Sequence, residues 1–119
     1  MDGGRIGQLL TDAKSHADVG DMLLASQLYT KATEIEPNNA AAWYGLGVVQ
    51  TARGFPDYSR LAFEKANMLD PEHAPTAANL AVLLNNIDPL RSYELAPMAV
   101  SKLGSIQQLS MIIKSRNES

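Results

Sequence analysis

Apolar residues recur at helical intervals along most of the chain. The clearest segment lies between Pro56 and Pro71, where apolar residues return at intervals typical of one helical face: Leu61, Phe63, Ala66 and Leu69. Such a pattern predicts an amphipathic helix whose apolar stripe faces a core. We therefore expect these four side chains to be buried together.

Cap and stop residues divide the pattern into separate helices. Asn39 precedes an apolar stretch over residues 40–52, and its side-chain oxygen can accept from a first-turn N–H. Gly54 follows this stretch and allows the left-handed backbone that ends many helices. Gly20 and Asp21 have the same roles earlier in the chain. A first helix from about Ile6 to this stop is therefore predicted.

The pattern repeats at a spacing of 34 residues. Aligned pairs include Gly20 with Gly54, Tyr29 with Phe63, Ala32 with Ala66, Pro37 with Pro71, and Leu46 with Leu80. Farther along the spacing falls to 33, with Ala96 on Phe63 and Ala99 on Ala66. A fixed period between 20 and 50 residues indicates stacked supersecondary units. Each unit here contains two predicted helices.

Two glycines, Gly45 and Gly47, lie inside the predicted helix over 40–52. Each costs about 0.5–1 kcal/mol relative to alanine. Gly47 aligns with alanine in both other units, so we expect a close helix contact beside a ring such as Phe63 or Tyr29. Gly45 aligns with larger polar residues. It either opens floor space in a binding surface or is a tolerated surface glycine.

The middle unit resembles the tetratricopeptide repeat (TPR) family. The family motif is carried by Trp43, Leu46, Gly47, Phe63, Ala66 and Pro71. Gln50 replaces its tyrosine, Ser59 replaces an alanine, and the third unit matches weakly. The resemblance implies an all-α, right-handed superhelix of three helix-turn-helix repeats. The implied segments are an N-terminal tail (1–5), repeats at 6–39, 40–73 and 74–104, and a C-terminal helix and tail (105–119).

The C-terminal segment predicts a seventh helix. Ser105 and Gln108 have the spacing of a capping box, and Ile106, Leu109 and Ile113 share one face. One interpretation is a capping helix that covers the apolar end of the last repeat. The other is the first helix of a fourth repeat in a longer protein.

Composition limits the classes of function. The 119 residues include 45% hydrophobic and 19% charged residues, which is typical of a folded domain, and the net charge is −3. No basic patch indicates nucleic acid, and no apolar run is long enough for a membrane span. The N-terminus lacks an apolar signal core, so we expect a cytoplasmic protein.

Candidate chemistry is sparse. The chain has no cysteine, which excludes disulfides and thiolate metal sites, and its only histidines are His16 and His73. His16 lies one helical turn from Asp12, a pair found more often in packing than in catalysis. We therefore expect no catalytic residue, no metal and no cofactor.

The resemblance implies a concave groove, lined by the first helix of each repeat, that binds extended peptides or partner helices. The implied partner-binding residues are Leu10, Lys14, Tyr44, Gly45, Val48, Asn79, Val82 and Asn86. The carboxylate clamp that grips heat-shock chaperone tails is absent, because its positions hold Leu10, Lys14, Gly45, Pro75 and Asn79. A protein or peptide ligand with apolar anchors is expected instead.

The sequence therefore predicts a non-enzymatic protein–protein interaction module, an adaptor or assembly scaffold, that is a monomer or weak homodimer. One alternative is a fragment or regulatory domain of a longer TPR protein or enzyme. Another is a self-associating structural module.

Overall fold

The computed structural model describes the backbone of residues 2–103 and 107–118, and the side chains of residues 5–102 and 108–114. These ranges hold seven helices and no strand, which confirms the all-α prediction. The helices are α1 (Asp2–Asp18), α2 (Met22–Ile35), α3 (Ala40–Ala52), α4 (Pro56–Leu69), α5 (Ala74–Leu84), α6 (Pro89–Leu103) and α7 (Gln107–Glu118). Residues 1–69 form one compact unit with α1 to α4, and residues 70–119 form a second with α5 to α7.

The predicted caps and stops of the first unit are confirmed. Asp21 caps α2 by accepting from the Leu24 N–H at 3.4 Å, and Asn39 caps α3 by accepting from the Ala42 N–H at 3.1 Å. Gly20 and Gly54 have φ angles of 88° and 83°. Glycine adopts this left-handed backbone without a Cβ clash, which explains why both positions end a helix.

Helix α1 begins at Asp2, four residues before the predicted start at Ile6. Glycines at positions 3 and 4 weaken the sequence signal because glycine has a low helix propensity. Ile6 is 3% exposed and packs with Ala32 and Ala42, so this part of α1 belongs to the core.

One hydrogen bond recurs in both units and confirms the repeat spacing. Ser59 Oγ on α4 donates to the Gly47 carbonyl on α3 at 2.9 Å, and Ser92 Oγ on α6 donates to the Ala81 carbonyl on α5 at 2.6 Å. Both serines are fully buried. A buried hydroxyl needs a partner, and here that partner joins the two helices of one pair. Each serine stands where the family motif has alanine.

The core of α4 differs from the predicted stripe. Phe63 and Ala66 are buried as expected, together with Ser59 and Ala62, whereas Leu61 is 60% exposed. Residues two apart on an α-helix point about 200° away from each other. Leu61 and Phe63 therefore cannot share the core face, and the expectation for Leu61 is wrong.

Helix α7 packs on the second unit through Leu109 and Ile112, which are 1% and 6% exposed. They join a buried cluster with four alanines of α5 and α6: Ala77, Ala81, Ala96 and Ala99. Ile112 is thus the inner residue, while the predicted Ile113 is only partly buried. The predicted capping box includes Ser105, which lies outside the described residues, as does Ile106.

Candidate partner-binding surfaces

The first unit presents a partly apolar surface on α3. Tyr44 is half-buried and its ring lies 5.8 Å from that of Phe63, centroid to centroid, with the planes tilted by 57°. Val48, one turn later, is 41% exposed. On α1, Leu10 is half-buried beside the core. Tyr44 is therefore both a surface residue and a packing partner of α4, which the sequence pattern did not indicate.

Lys14 lies on the same unit and is already paired. Its ammonium donates to the Asp18 carboxylate at 3.0 Å, one turn along α1, and both side chains are largely exposed. The hydrogen bond to Asp18 raises the pKa of Lys14. Exposed pairs of this kind contribute little to stability and are screened by salt. Lys14 is therefore a weak anchor for an acidic partner.

Gly45 is buried, and neither interpretation from the sequence holds. A Cβ placed on Gly45 would overlap ring carbons of Tyr29 on α2. A Cβ on Gly47 would come within 2.7–2.9 Å of the Phe63 ring on α4. The contact expected for Gly47 is present, whereas Gly45 opens no floor space because Tyr29 fills it. The residue that explains Gly45 is Tyr29, an aromatic residue of the preceding repeat.

Tyr29 links the two odd-numbered helices of the first unit. Its ring is 9% exposed and packs in the cluster that contains Ala13 of α1 and Val49 of α3. Burial raises the pKa of the Tyr29 hydroxyl, the Lys14 ammonium lowers it, and the Asp18 carboxylate raises it again. Tyr44 contributes a smaller increase. The hydroxyl-bearing end of the Tyr29 ring, with Cζ, lies where a Cβ on Gly45 would be.

The second unit holds the other three predicted residues. The Asn79 amide donates back to the Pro75 carbonyl at 2.9 Å, within α5. Val82 is 37% exposed and Asn86 is exposed. Val48 and Val82 are aligned by the 34-residue spacing, so α3 and α5 both expose a valine at the same repeat position.

A cleft in the second unit includes two of these residues. Its volume is about 400 Å³, and it is lined by Val82, Asn85, Asn86, Gln108, Met111 and Ile112. The four residues outside the predicted set come from the end of α5 and from α7. They were missed because the sequence did not show how far α7 contributes to a surface shared with α5.

Groups that could carry chemistry are not assembled in the described ranges. Among these residues no group of three or more His, Cys, Asp or Glu side chains could hold a metal ion. His16 lies 3.6 Å from the Asp21 carboxylate, with both side chains well exposed, and His73 Nδ1 lies 2.7 Å from the Thr76 hydroxyl. Both contacts belong to helix ends. No helix in the described segments has the length and apolar content to span a bilayer.

Comparison with known proteins points to one repeat family. A family model described as tetratricopeptide repeat matches residues 28–60. The match spans most of α2, all of α3 and the start of α4. The comparison with curated proteins finds no match.

Solved structures of similar fold include a secretion chaperone and a peptide-bound TPR domain. The type III secretion translocator chaperone SycD of Yersinia enterocolitica is 16% identical, with a TM-score of 0.84 over 100% of this chain and 90% of that chain. SycD in complex with a peptide of the translocator YopD is 13% identical, with a TM-score of 0.79 over 94% of this chain and 92% of that chain. The first TPR domain of Spaghetti (RPAP3), bound to the HSP90 peptide SRMEEVD, is 9% identical, with a TM-score of 0.80 over 95% of this chain and 90% of that chain. At these identities the likeness shows the fold.

Proposed function

We propose that the chain is a non-enzymatic protein–protein interaction module of the tetratricopeptide repeat family, which binds a peptide or partner helix on the exposed faces of the odd-numbered helices within each unit. The observation that carries the proposal is the repeated exposed valine, Val48 on α3 and Val82 on α5. Partly exposed apolar side chains at one repeat position suit a ligand with apolar anchors. SycD and the Spaghetti domain each bind a peptide, which supports this class of partner.

The proposed partner is held mainly by apolar contacts rather than by charge. On the first unit the surface offers Tyr44, Val48 and Leu10, while its cation Lys14 is paired with Asp18. Aromatic residues dominate interface energetics because they bury a large area and lose few rotamers. Tyr44 is therefore the proposed main anchor. A cytoplasmic location and an adaptor or scaffold role stay predictions from the sequence.

The test compares surface variants in capture and in titration. The immobilised 119-residue chain should retain a partner that Val48→Glu loses and that the control Val19→Glu keeps, because Val19 is 80% exposed in the turn after α1. Tyr44→Ala should weaken the captured partner by about 1–3 kcal/mol in calorimetry, and Lys14→Ala by less. Binding should fall only modestly with salt. Circular dichroism checks the fold of Tyr44→Ala, since its ring also packs on Phe63. A steep salt dependence, or equal losses at Val48 and Val19, would contradict the proposal.

The exposed side of α4 favours self-association as a second candidate. Tyr58, Leu61 and Met68 are each at least 60% exposed and lie on one side of that helix. Contiguous exposed apolar residues are a common feature of interaction surfaces. Sedimentation at several concentrations tests this candidate, because a self-associating module would change mass with concentration.

A further inference from the structure

The cleft in the second unit is lined by two helices that are equivalent in the repeat. By the repeat spacing, Ile112 on α7 takes the place of Gly45 on α3. The burial pattern supports this alignment, because Leu109 and Ile112 are buried on α7 as Ala42 and Gly45 are on α3. Helices α5 and α7 are therefore first helices of successive repeats. The cleft belongs to the class of surface for which peptide binding is proposed.

Half of the side chains that line this cleft are primary amides, and none is charged. The apolar ones are Val82, Met111 and Ile112, and the amides are Asn85, Asn86 and Gln108. All three amide residues are exposed, whereas the amide of Asn79, also on α5, donates to the Pro75 carbonyl. Each primary amide offers two N–H donors and one carbonyl acceptor. A ligand that covers them must therefore present both donors and acceptors.

This requirement distinguishes between classes of occupant. A charged group would lose its hydration without gaining an ionic partner among the lining residues. A purely apolar group would cover the amides and leave them without hydrogen bonds. A helix uses its backbone N–H and C=O groups in its own hydrogen bonds. An extended peptide presents a free donor and a free acceptor at each residue other than proline, so it meets the requirement.

We propose that this cleft binds an uncharged peptide segment in an extended conformation. The peptide backbone bonds to the amides of Asn85, Asn86 and Gln108, and one apolar side chain lies on Val82 and Met111. This rests on the proposed function and decides between the two partners named there, a peptide and a helix. The volume of about 400 Å³ is within the common range for ligand sites.

Nuclear magnetic resonance with short peptides tests this without the natural partner. The ¹⁵N-labelled 119-residue chain is titrated with Ac-Gly-Val-Leu-Val-Gly-NH₂, with its N-methyl-leucine analogue, and with a helical peptide that carries one leucine among α-aminoisobutyrate residues. We expect saturable shifts of the Asn85, Asn86 and Gln108 side-chain amide signals with the first peptide. The other two should bind at least about tenfold more weakly, because a hydrogen bond left unmade lowers affinity by about that factor.

Two asparagine variants provide a matched pair. Asn86→Ala should weaken the first peptide about tenfold, whereas Asn38→Ala should not, because both asparagines are exposed but Asn38 lies between α2 and α3. Absent shifts, equal binding of the N-methylated peptide, or equal effects of the two variants would overturn the proposal. Tighter binding of the helical peptide would overturn it as well and leave the proposed function intact. The Val48 and Tyr44 experiment reads the first unit and tests that function separately.

Discussion

The two units solve the same packing problem with opposite distributions of volume. In the first unit a large residue on α2, Tyr29, meets a glycine on α3. In the second, the aligned residues are Ala96 on α6 and Ile112 on α7, within one buried cluster. Cores tolerate such exchanges when the total volume is kept. The contrast teaches that a repeat spacing preserves the buried volume more closely than it preserves the surface above it.

The surfaces beside these residues differ. In the first unit the Tyr29 ring occupies the space next to Gly45, whereas in the second a cleft of about 400 Å³ is lined in part by Ile112. The hydrogen bonds from Ser59 and Ser92 to the preceding helix are equivalent in the two units, so the pairs α3–α4 and α5–α6 share one buried contact.

The largest expected effect is the loss of the helix that completes the second unit. Truncation after Gly104 removes Leu109 and Ile112, and burial of a large aliphatic side chain contributes about 1.5–3 kcal/mol. We expect the free energy of unfolding to fall by about 3–6 kcal/mol and self-association to increase, because the alanine cluster becomes exposed. Urea melts and sedimentation measure both.

A full-length variant separates packing from chain length. Leu109→Ala with Ile112→Ala should reproduce most of the loss, and Met111→Ala should not, because Met111 is 61% exposed. A truncated chain that stays monomeric with an unchanged melt would show that α7 is not a cap.

A residue exchange tests the alignment of the units directly. Gly45→Ile introduces a side chain that overlaps Tyr29 and should destabilise by about 3 kcal/mol, the upper end of typical overpacking costs. Tyr29→Ala should lower the free energy of unfolding by about 3–5 kcal/mol, as other aromatic-to-alanine substitutions in cores do. Together they recreate the pair of the second unit, so the double variant should lose at least about 1 kcal/mol less than the sum. Denaturant melts of all four proteins give this coupling.

Gly7 supplies the control for the glycine change. It lies inside α1 with no atom within 4 Å of an added Cβ, so Gly7→Ala should stabilise by up to about 1 kcal/mol. Gly45→Ala, by contrast, should destabilise. Strictly additive effects at positions 29 and 45 would show that the two residues do not share one space.

The fold was largely predictable because its signals are local. Asp21, Asn39, Gly20 and Gly54 each act within a few residues, through a cap hydrogen bond or a left-handed backbone. The repeat spacing then paired the helices. The buried face of a helix was harder to predict where several apolar residues lie close together, because the correct face depends on what packs against it. Leu61 is the example, since it was expected in the core and is 60% exposed.

The candidate surfaces were less predictable because they depend on residues distant in sequence. Gly45 had no explanation within its own repeat position, since its partner Tyr29 belongs to the preceding repeat. The cleft is lined by residues at the end of α5 and on α7, which are separated in sequence by the whole of α6. A search across repeats for exchanged large and small residues could have related Gly45 to Tyr29.

The smallest expected effect concerns the buried end of Tyr29. Burial raises the pKa values of Tyr29 and Tyr44 above the ordinary 10.0, because the charged phenolate is poorly solvated there. In the unfolded chain both hydroxyls ionise near that ordinary value. Stability is therefore fully present below about pH 10 and is lost as the pH rises through the folded pKa. We expect this loss to be smaller than the cost of removing either ring, because the ring packing itself is unchanged.

Two phenylalanine variants identify the source of this alkaline loss. Tyr29→Phe and Tyr44→Phe keep the ring packing and remove the ionising hydroxyl, so each should flatten the fall in stability as the pH rises above about 10. The hydrogen bond to Asp18 raises the pKa of Lys14 as well, so Lys14→Met is measured alongside. Tyrosinate absorbance of the folded protein provides a direct readout, because it should develop later than in the urea-unfolded chain. If Tyr29→Phe leaves the alkaline profile unchanged while Lys14→Met flattens it, the phenol of Tyr29 is solvated rather than enclosed between α1 and α3. The first unit would then have an open space where the comparison requires a filled one.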